Sequence, residues 1–539
     1  MSGPTGQNVS DTLLSNGAVA LIGVLLLIAL VVAAAAAPLV RRYYGRRVRR
    51  LMGLDQVAPR PVDAASEDAA QSPGVLPSVP FSQRGADGLT AVARQRQQRI
   101  IRATLLAWLT FTVIALLAAG VDPNAGIGFR LLFFVVAGVL ALVPALTNLP
   151  EGWTQWSLSD VFPGQAALGK VTLGQLSGQS LWQRMPPSVA NGGAFLALWY
   201  RRLRGQVLPV FVVLGCWMVL FFGIYAYWEP RGGDAWLTHF SEAKEGSAIF
   251  TSAQLIVPLV WVLFLWLGFR LLDVVAGLIR RGWASELSLG SAVSLIVIAV
   301  VMVASADERH GFWPGCATLL WVAAAVGVYL LALGRPQGDA TGPQLLVLRV
   351  FSEDSSKQIL LDELQDHWRY VGPVQQIAGF DMVDLNVDPY EASMFLGNRM
   401  HELFLPVGPS PAQLKAHLRT APDHEGRYPI NEVFCFNTAW RDTVNQLMHV
   451  SDAIVLDVRG LTAQREGTGY EIGLLARDGA LSKVVAVADD STDWAHVESL
   501  VRAQDADPVG LTRLSAGNQP QSQELFSKLL HAAARPASV

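Results

Sequence analysis

The strongest constraint on this chain is a recurring apolar run about as long as a bilayer's hydrocarbon core is thick. A helix needs about 20 apolar residues to cross that core, because each adds about 1.5 Å across about 30 Å. Stretches at approximately 17–40, 103–121, 129–149, 207–228, 250–270, 286–305 and 314–334 reach that length. Composition agrees. Hydrophobic residues make up 51% and charged residues 16% of the chain, and the mean hydropathy is +0.34, whereas soluble domains usually carry about 25% charged residues. The runs therefore predict a multi-pass α-helical membrane domain of about seven spans, with the lipid bilayer as a partner.

Charge gives the expected topology. The first run has no basic segment before it and is followed by Arg41, Arg42, Arg46, Arg47, Arg49 and Arg50. That order suits a signal-anchor helix over 1–40 with its N-terminus outside. Arg94, Arg96, Arg99 and Arg102, then Arg201, Arg202 and Arg204, then Arg270, Arg280 and Arg281 mark alternate loops, and 122–128 between them has no Lys or Arg. The positive-inside rule then predicts a plasma (inner) membrane protein with a cytoplasmic C-terminal domain. Residues 41–101 read as a flexible basic cytoplasmic linker, and 102–334 as six further spans. The loop at 150–206 holds Trp153, Trp156, Trp182 and Trp199 and reads as interfacial. Ionisable residues are almost absent between span ends, which favours an anchor, sensor or assembly scaffold over a transporter. A net charge of −3 gives no reason to expect nucleic acid. Cys216, Cys316 and Cys435 are far apart, and His367 and His401 are isolated, so neither a disulfide framework nor a metal site is expected.

After the turn-rich segment 335–343 the periodicity changes. Short apolar runs at 344–351, 373–378, 431–436, 453–458 and 483–488 alternate with helical spacing at 355–370, 391–404, 438–450 and 469–477 and from about 494 and 522. Strands alternating with helices predict an α/β domain over 343–539 with a mainly parallel, doubly wound sheet. Ligands of such sheets bind beyond the carboxyl ends of the strands. That rule selects Ser352, Asp354 and Ser355 after the first strand, Asp381 after the second, and Asp457, Arg459, Gly467, Thr468 and Glu471 after the run AIVLDV. The glycine-rich phosphate turns GxGxxG and GxxxxGK[ST] are both missing from the sequence.

The segment SDAIVLDVRG…EGTGYEIGLLA resembles the nucleoside 2-deoxyribosyltransferases. In that family a strand ends at an Asp and a Gly-Thr-x-x-Glu segment opens the next helix. Toll/interleukin-1 receptor (TIR) domains are similar, and VFSEDSS looks like their first strand and loop. The whole C-terminal domain, including NEVFCFNTAWRDTV, also resembles that of bacterial multi-pass membrane proteins of unassigned activity. The resemblance implies that Glu471 attacks an anomeric carbon, that Asp457 is the strand-end acid, and that Gly467, Thr468 and Gly473 flank the site. The insertion at 403–428 and the pair Arg465-Glu466 depart from the pattern. The expected ligand is nucleotide-like, with NAD or a nucleoside as substrate and no cofactor assigned, and the expected reaction is N-glycosidic cleavage or transfer. Other readings of the same residues remain open. Glu471 could serve only the helix dipole, Ser352 and Asp354 could be turn residues, and Arg459 and Arg441 could pair either phosphate or a carboxylate. A non-catalytic sensor or homo-oligomeric assembly module is the alternative function, and a transporter the third.

Overall fold

The computed structural model describes residues 39, 42–53, 85–121, 248–285, 288, 312–334, 342–349, 355–378, 389–405, 409–462, 466–515 and 522–534. Its helices are α1 (Ala86–Val121), α2 (Ala248–Arg280), α3 (Phe312–Leu333), α4 (Ser355–Trp368), α5 (Pro389–Leu396), α6 (Pro411–His417), α7 (Trp440–Val450), α8 (Glu466–Arg477), α9 (Trp494–Arg502) and α10 (Ser522–Ala533). The strands are β1 (Leu345–Arg349), β2 (Val374–Ile377), β3 (Phe404–Leu405), β4 (Ile430–Cys435), β5 (Ala453–Asp457), β6 (Val484–Ala488) and β7 (Thr512–Ser515). Two compact units form. One draws on Met1–Arg41, Ile101–Gly334 and Asn386–Asn398, the other on Arg42–Ile100, Arg335–Leu385 and Arg399–Val539.

In the first unit α2 packs on α5. The Arg280 guanidinium donates to the Tyr390 hydroxyl and lies 4.8 Å from its ring centroid. Among the described residues no helix is long and apolar enough to cross a membrane. That finding overturns the expected seven-span domain, and with it the multi-pass inner-membrane location and the outside-to-cytoplasm topology. The reason is that run length measures apolarity without showing what buries it. Phe111 and Ala325 are buried, whereas Leu109, Leu259, Val262, Trp266, Leu320 and Leu331 are exposed. Helix α1 opens with Arg94, Arg96, Arg99 and Arg102, and α2 carries Arg270, Asp273 and Arg280. The runs at 129–149 and 207–228, and the interfacial loop at 150–206, lie outside the described residues, as do 17–40 and 286–305 apart from single positions.

The second unit is a seven-stranded sheet of order β3-β4-β2-β1-β5-β6-β7, parallel at every pairing. The mainly parallel sheet expected over 343–539 is therefore present, although the membrane half of the expected architecture is not. From β1 the chain builds outward through β2, and later returns to β1's other side with β5, so the order reverses between β1 and β5. Strands β5 and β6 are buried at every position, as expected when helices cover both faces. Alternation separates the faces. Leu346, Leu348, Ile454, Leu456, Val484 and Ala486 join one core with Val444 and Leu447 of α7, Ile472 and Leu475 of α8 and Val497 of α9. Helix α10 packs on β5 and β6, and α4 packs on α10. Trp368 meets Phe526 edge-on at 6.0 Å.

Two parts of this unit were not legible as such. The C-terminal part of the expected linker is helical: Leu89, Ala93, Arg96 and Ile100 form a buried stripe on the first turns of α1. Arg96 donates to the Tyr370 carbonyl at 2.8 Å and lies 4.9 Å from the Tyr428 ring centroid. The insertion after Leu403 supplies β3 and α6, the latter capped by Ser410 and Gln413.

Where the chain enters the sheet, two glycines let backbones meet. A Cβ on Gly372 would sit 1.9 Å from the Pro343 carbonyl oxygen, and one on Gly342 would sit 2.1 Å from that of Val371. The same Pro343 oxygen accepts from the buried Trp368 indole at 3.2 Å, so it cannot retreat freely. Gly372→Ala is expected to lower unfolding free energy by about 1–3 kcal/mol or more, read as a fall in the urea midpoint.

Candidate functional site

Strands β1 and β5 border the reversal of strand order, and ligands of open α/β sheets bind beyond the carboxyl ends of such strands. Of the expected residues, Ser352, Asp354 and Asp381 lie outside the described residues, and Ser355 is the first residue of α4. Asp457, Arg459, Gly467, Thr468 and Glu471 are all described.

Asp457 ends β5 and is buried with Arg459. The guanidinium grips the carboxylate with two bonds, Nη2 to Oδ2 at 2.7 Å and Nε to Oδ1 at 2.9 Å, and the Arg459 backbone N–H adds a third to Oδ1 at 3.1 Å. A bidentate, charge-assisted pair of this kind uses up most of the carboxylate's accepting capacity. Its effect is to pin the loop that leaves the strand. The next strand's loop joins in: the Gly460 N–H reaches Asp489 Oδ1 at 3.3 Å, and Thr492 donates to the Val458 carbonyl at 3.1 Å.

Glu471 has different surroundings. Helix α8 begins at Glu466, so Glu471 lies in the second turn, beyond the reach of most of the dipole effect. Thr468, Glu471, Ile472 and Leu475 are all buried and follow the i, i+3, i+4, i+7 spacing of one helix face. That stripe faces the sheet, and its first two positions are polar. On another face of α8, a Cβ on Gly469 would sit 3.7 Å from Leu500 of α9 and one on Gly473 3.9 Å from Gln504 just past it, both ordinary van der Waals contacts. Glu471 Oε2 is buried and has no hydrogen-bond partner among the described residues. Burial pushes its pKa from about 4.5 up to about 8, so the carboxyl holds its proton at neutral pH. A buried, unsatisfied carboxyl requires a reason, and the helix dipole does not provide one.

Asp457 and Glu471 have different surroundings. Leu456 and Val458 belong to the core under α8, so alternation turns Asp457 to the other face. Beside Glu471 stands a group the sequence did not single out as a set. Tyr470 meets Trp440, the first residue of α7, edge-on with centroids 5.4 Å apart. The Arg441 guanidinium lies 4.9 Å from the Tyr470 centroid and 5.7 Å from that of Trp440. In the sequence, Arg441 stood out as a possible partner for phosphate, and Tyr470 directly precedes Glu471 in GTGYE, but nothing joined them to Trp440. Among the described residues no group of His, Cys, Asp or Glu side chains is placed to hold a metal ion. Comparisons with protein-family models, curated proteins and solved structures find no match to this chain.

Two outcomes follow. Asp457→Asn leaves Arg459 buried without its countercharge and is expected to cost about 3–5 kcal/mol of stability, measured by equilibrium urea unfolding. For Glu471 the sign is set by its raised pKa. Below about pH 4.5 the carboxyl is protonated whether the chain is folded or not. Between about 4.5 and 8 the unfolded chain releases the proton that the folded chain keeps, so stability falls as pH rises through this window. Glu471→Gln should flatten that decline and raise the melting temperature near pH 8, checked by thermal scans across pH.

Proposed function

We propose that the α/β unit binds a nucleoside or nucleotide at the carboxyl edge of its sheet and that Glu471 acts on the N-glycosidic bond. The supporting observation is the buried Glu471 carboxyl with an unpartnered Oε2, in the helix that follows the strand flanking the reversal point. The resemblance of this segment to the deoxyribosyltransferase pattern supports the same reading. Asp457 is then a positioning residue, holding with Arg459 the loop that leads into α8.

The chemistry needs the carboxylate form. At pH 7 a group with a pKa near 8 ionises at a cost of about 1.4 kcal/mol. Positive charge growing at the anomeric carbon offsets that cost in a site with little water. Attack by Glu471 forms a glycosyl ester as the bond to the base breaks. The base leaves with the bonding electron pair and takes up a proton. Water then displaces the carboxylate in hydrolysis, or a second base does so in transfer. NAD and nucleosides both carry the required bond.

The test is to incubate the full chain with NAD and with nucleosides and to follow free base by chromatography. Base release is expected, rising with pH until Glu471 is ionised near pH 8. Glu471→Gln should lower it by about 10²–10⁴-fold or more. A rate that falls as pH rises through 8 would reassign Glu471 as proton donor to the leaving base. Binding without turnover, unchanged in Glu471→Gln, would replace the enzyme by a nucleotide-sensing module.

A further inference from the structure

Trp440 and Tyr470 are half-buried against the core shared by α7, α8 and α9, so their positions are set by packing. Arg441 is exposed yet its guanidinium rests on Tyr470 at 4.9 Å and near Trp440 at 5.7 Å. Among the described residues Arg441 makes no ion pair or hydrogen bond. A guanidinium laid on an aromatic face keeps its edge N–H groups free and loses little entropy when they bind. Free exposed arginines lack that advantage. The edge has the fork geometry that matches a phosphate or carboxylate. Among the described residues no carboxylate takes the fork. The next residue after Tyr470 is the buried Glu471 with its unpartnered oxygen. The α7 cap residue, Ala439, offers no side chain to the first-turn N–H groups, so they add donors of the same sign beside the guanidinium.

We propose that Arg441, held on Tyr470 and Trp440, is an anion subsite that makes the ligand of the Glu471 site a phosphorylated nucleotide rather than a neutral nucleoside. The inference rests on the nucleoside-directed reading of Glu471, but it concerns a different part of the ligand. The phosphate meets the guanidinium at the solvent edge while the sugar and base lie toward Glu471. The aromatic pair serves as the support that orients Arg441.

Calorimetric titration of the full chain with AMP, adenosine and inorganic phosphate at low salt tests it. AMP is expected to bind about tenfold or more tightly than adenosine, the range of one charge-assisted bidentate pair. Arg441→Gln should erase that preference and leave adenosine binding unchanged. Arg441→Lys, which keeps the charge and loses the fork, should restore it only in part. Equal affinities for AMP and adenosine, or a preference unchanged in Arg441→Gln, would overturn the subsite while leaving base release by Glu471 intact. Phosphate binding that is lost in Arg441→Gln, in a chain that neither binds adenosine nor releases base, supports the subsite and sinks the nucleoside reading. A chain that binds none of the three overturns both.

Discussion

Strands β1 and β5 lie side by side at the middle of a parallel sheet, and nearly every residue in them is withdrawn from water. A parallel sheet has no solvated face, so helices must cover it on both sides. Helix α10 covers one side of β5 and β6, while α7, α8 and α9 share a core with the other. The chain leaves β1 in both directions, so the strand order reverses between β1 and β5. Each later feature of the site, including the loop grip on Asp457 and the inward stripe of α8, is a consequence of that double coverage.

The carboxyl edge treats its two acids in opposite ways. Asp457 receives a full countercharge and three bonds from Arg459, so its burial is compensated and it stabilises the loop. Glu471 receives no partner at Oε2 among the described residues, and its burial raises its pKa so that it keeps its proton. The first arrangement is the usual way a fold tolerates a buried charge. The second lowers stability at neutral pH, and such uncompensated burial is found more often at functional groups than elsewhere.

The correction to the apolar N-terminal two thirds has an instructive cause. Phe111 and Ala325 belong to runs long enough for a bilayer, yet they are buried, while Leu109, Leu320 and Leu331 of the same runs are exposed. Hydropathy reports that a residue avoids water, and lipid and protein satisfy that preference equally well. The same limit explains the basic segment before the second run. Arg96 counted as a topological charge in the sequence, but it packs on Tyr428 and donates to Tyr370, as long side chains with an apolar stem can do.

The alternation of runs such as AIVLDV and KVVAVA with helical spacing determined by itself that residues 343–539 form an α/β unit, because period 2 and period 3.6 are written locally. Strands β3 and β7 escaped that reading because β3 has only two residues and β7 buries only Leu514. The segment GTGYE likewise marked Glu471 as a candidate before any contact was known. Only the tertiary structure decided what surrounds it. Strand alternation turned Asp457 to the other face, Arg459 neutralised it, and Trp440 and Arg441 arrived beside Tyr470 from a different helix. Those outcomes depend on which residues distant in the chain meet across the sheet, and local periodicity carries no information about partners so far apart.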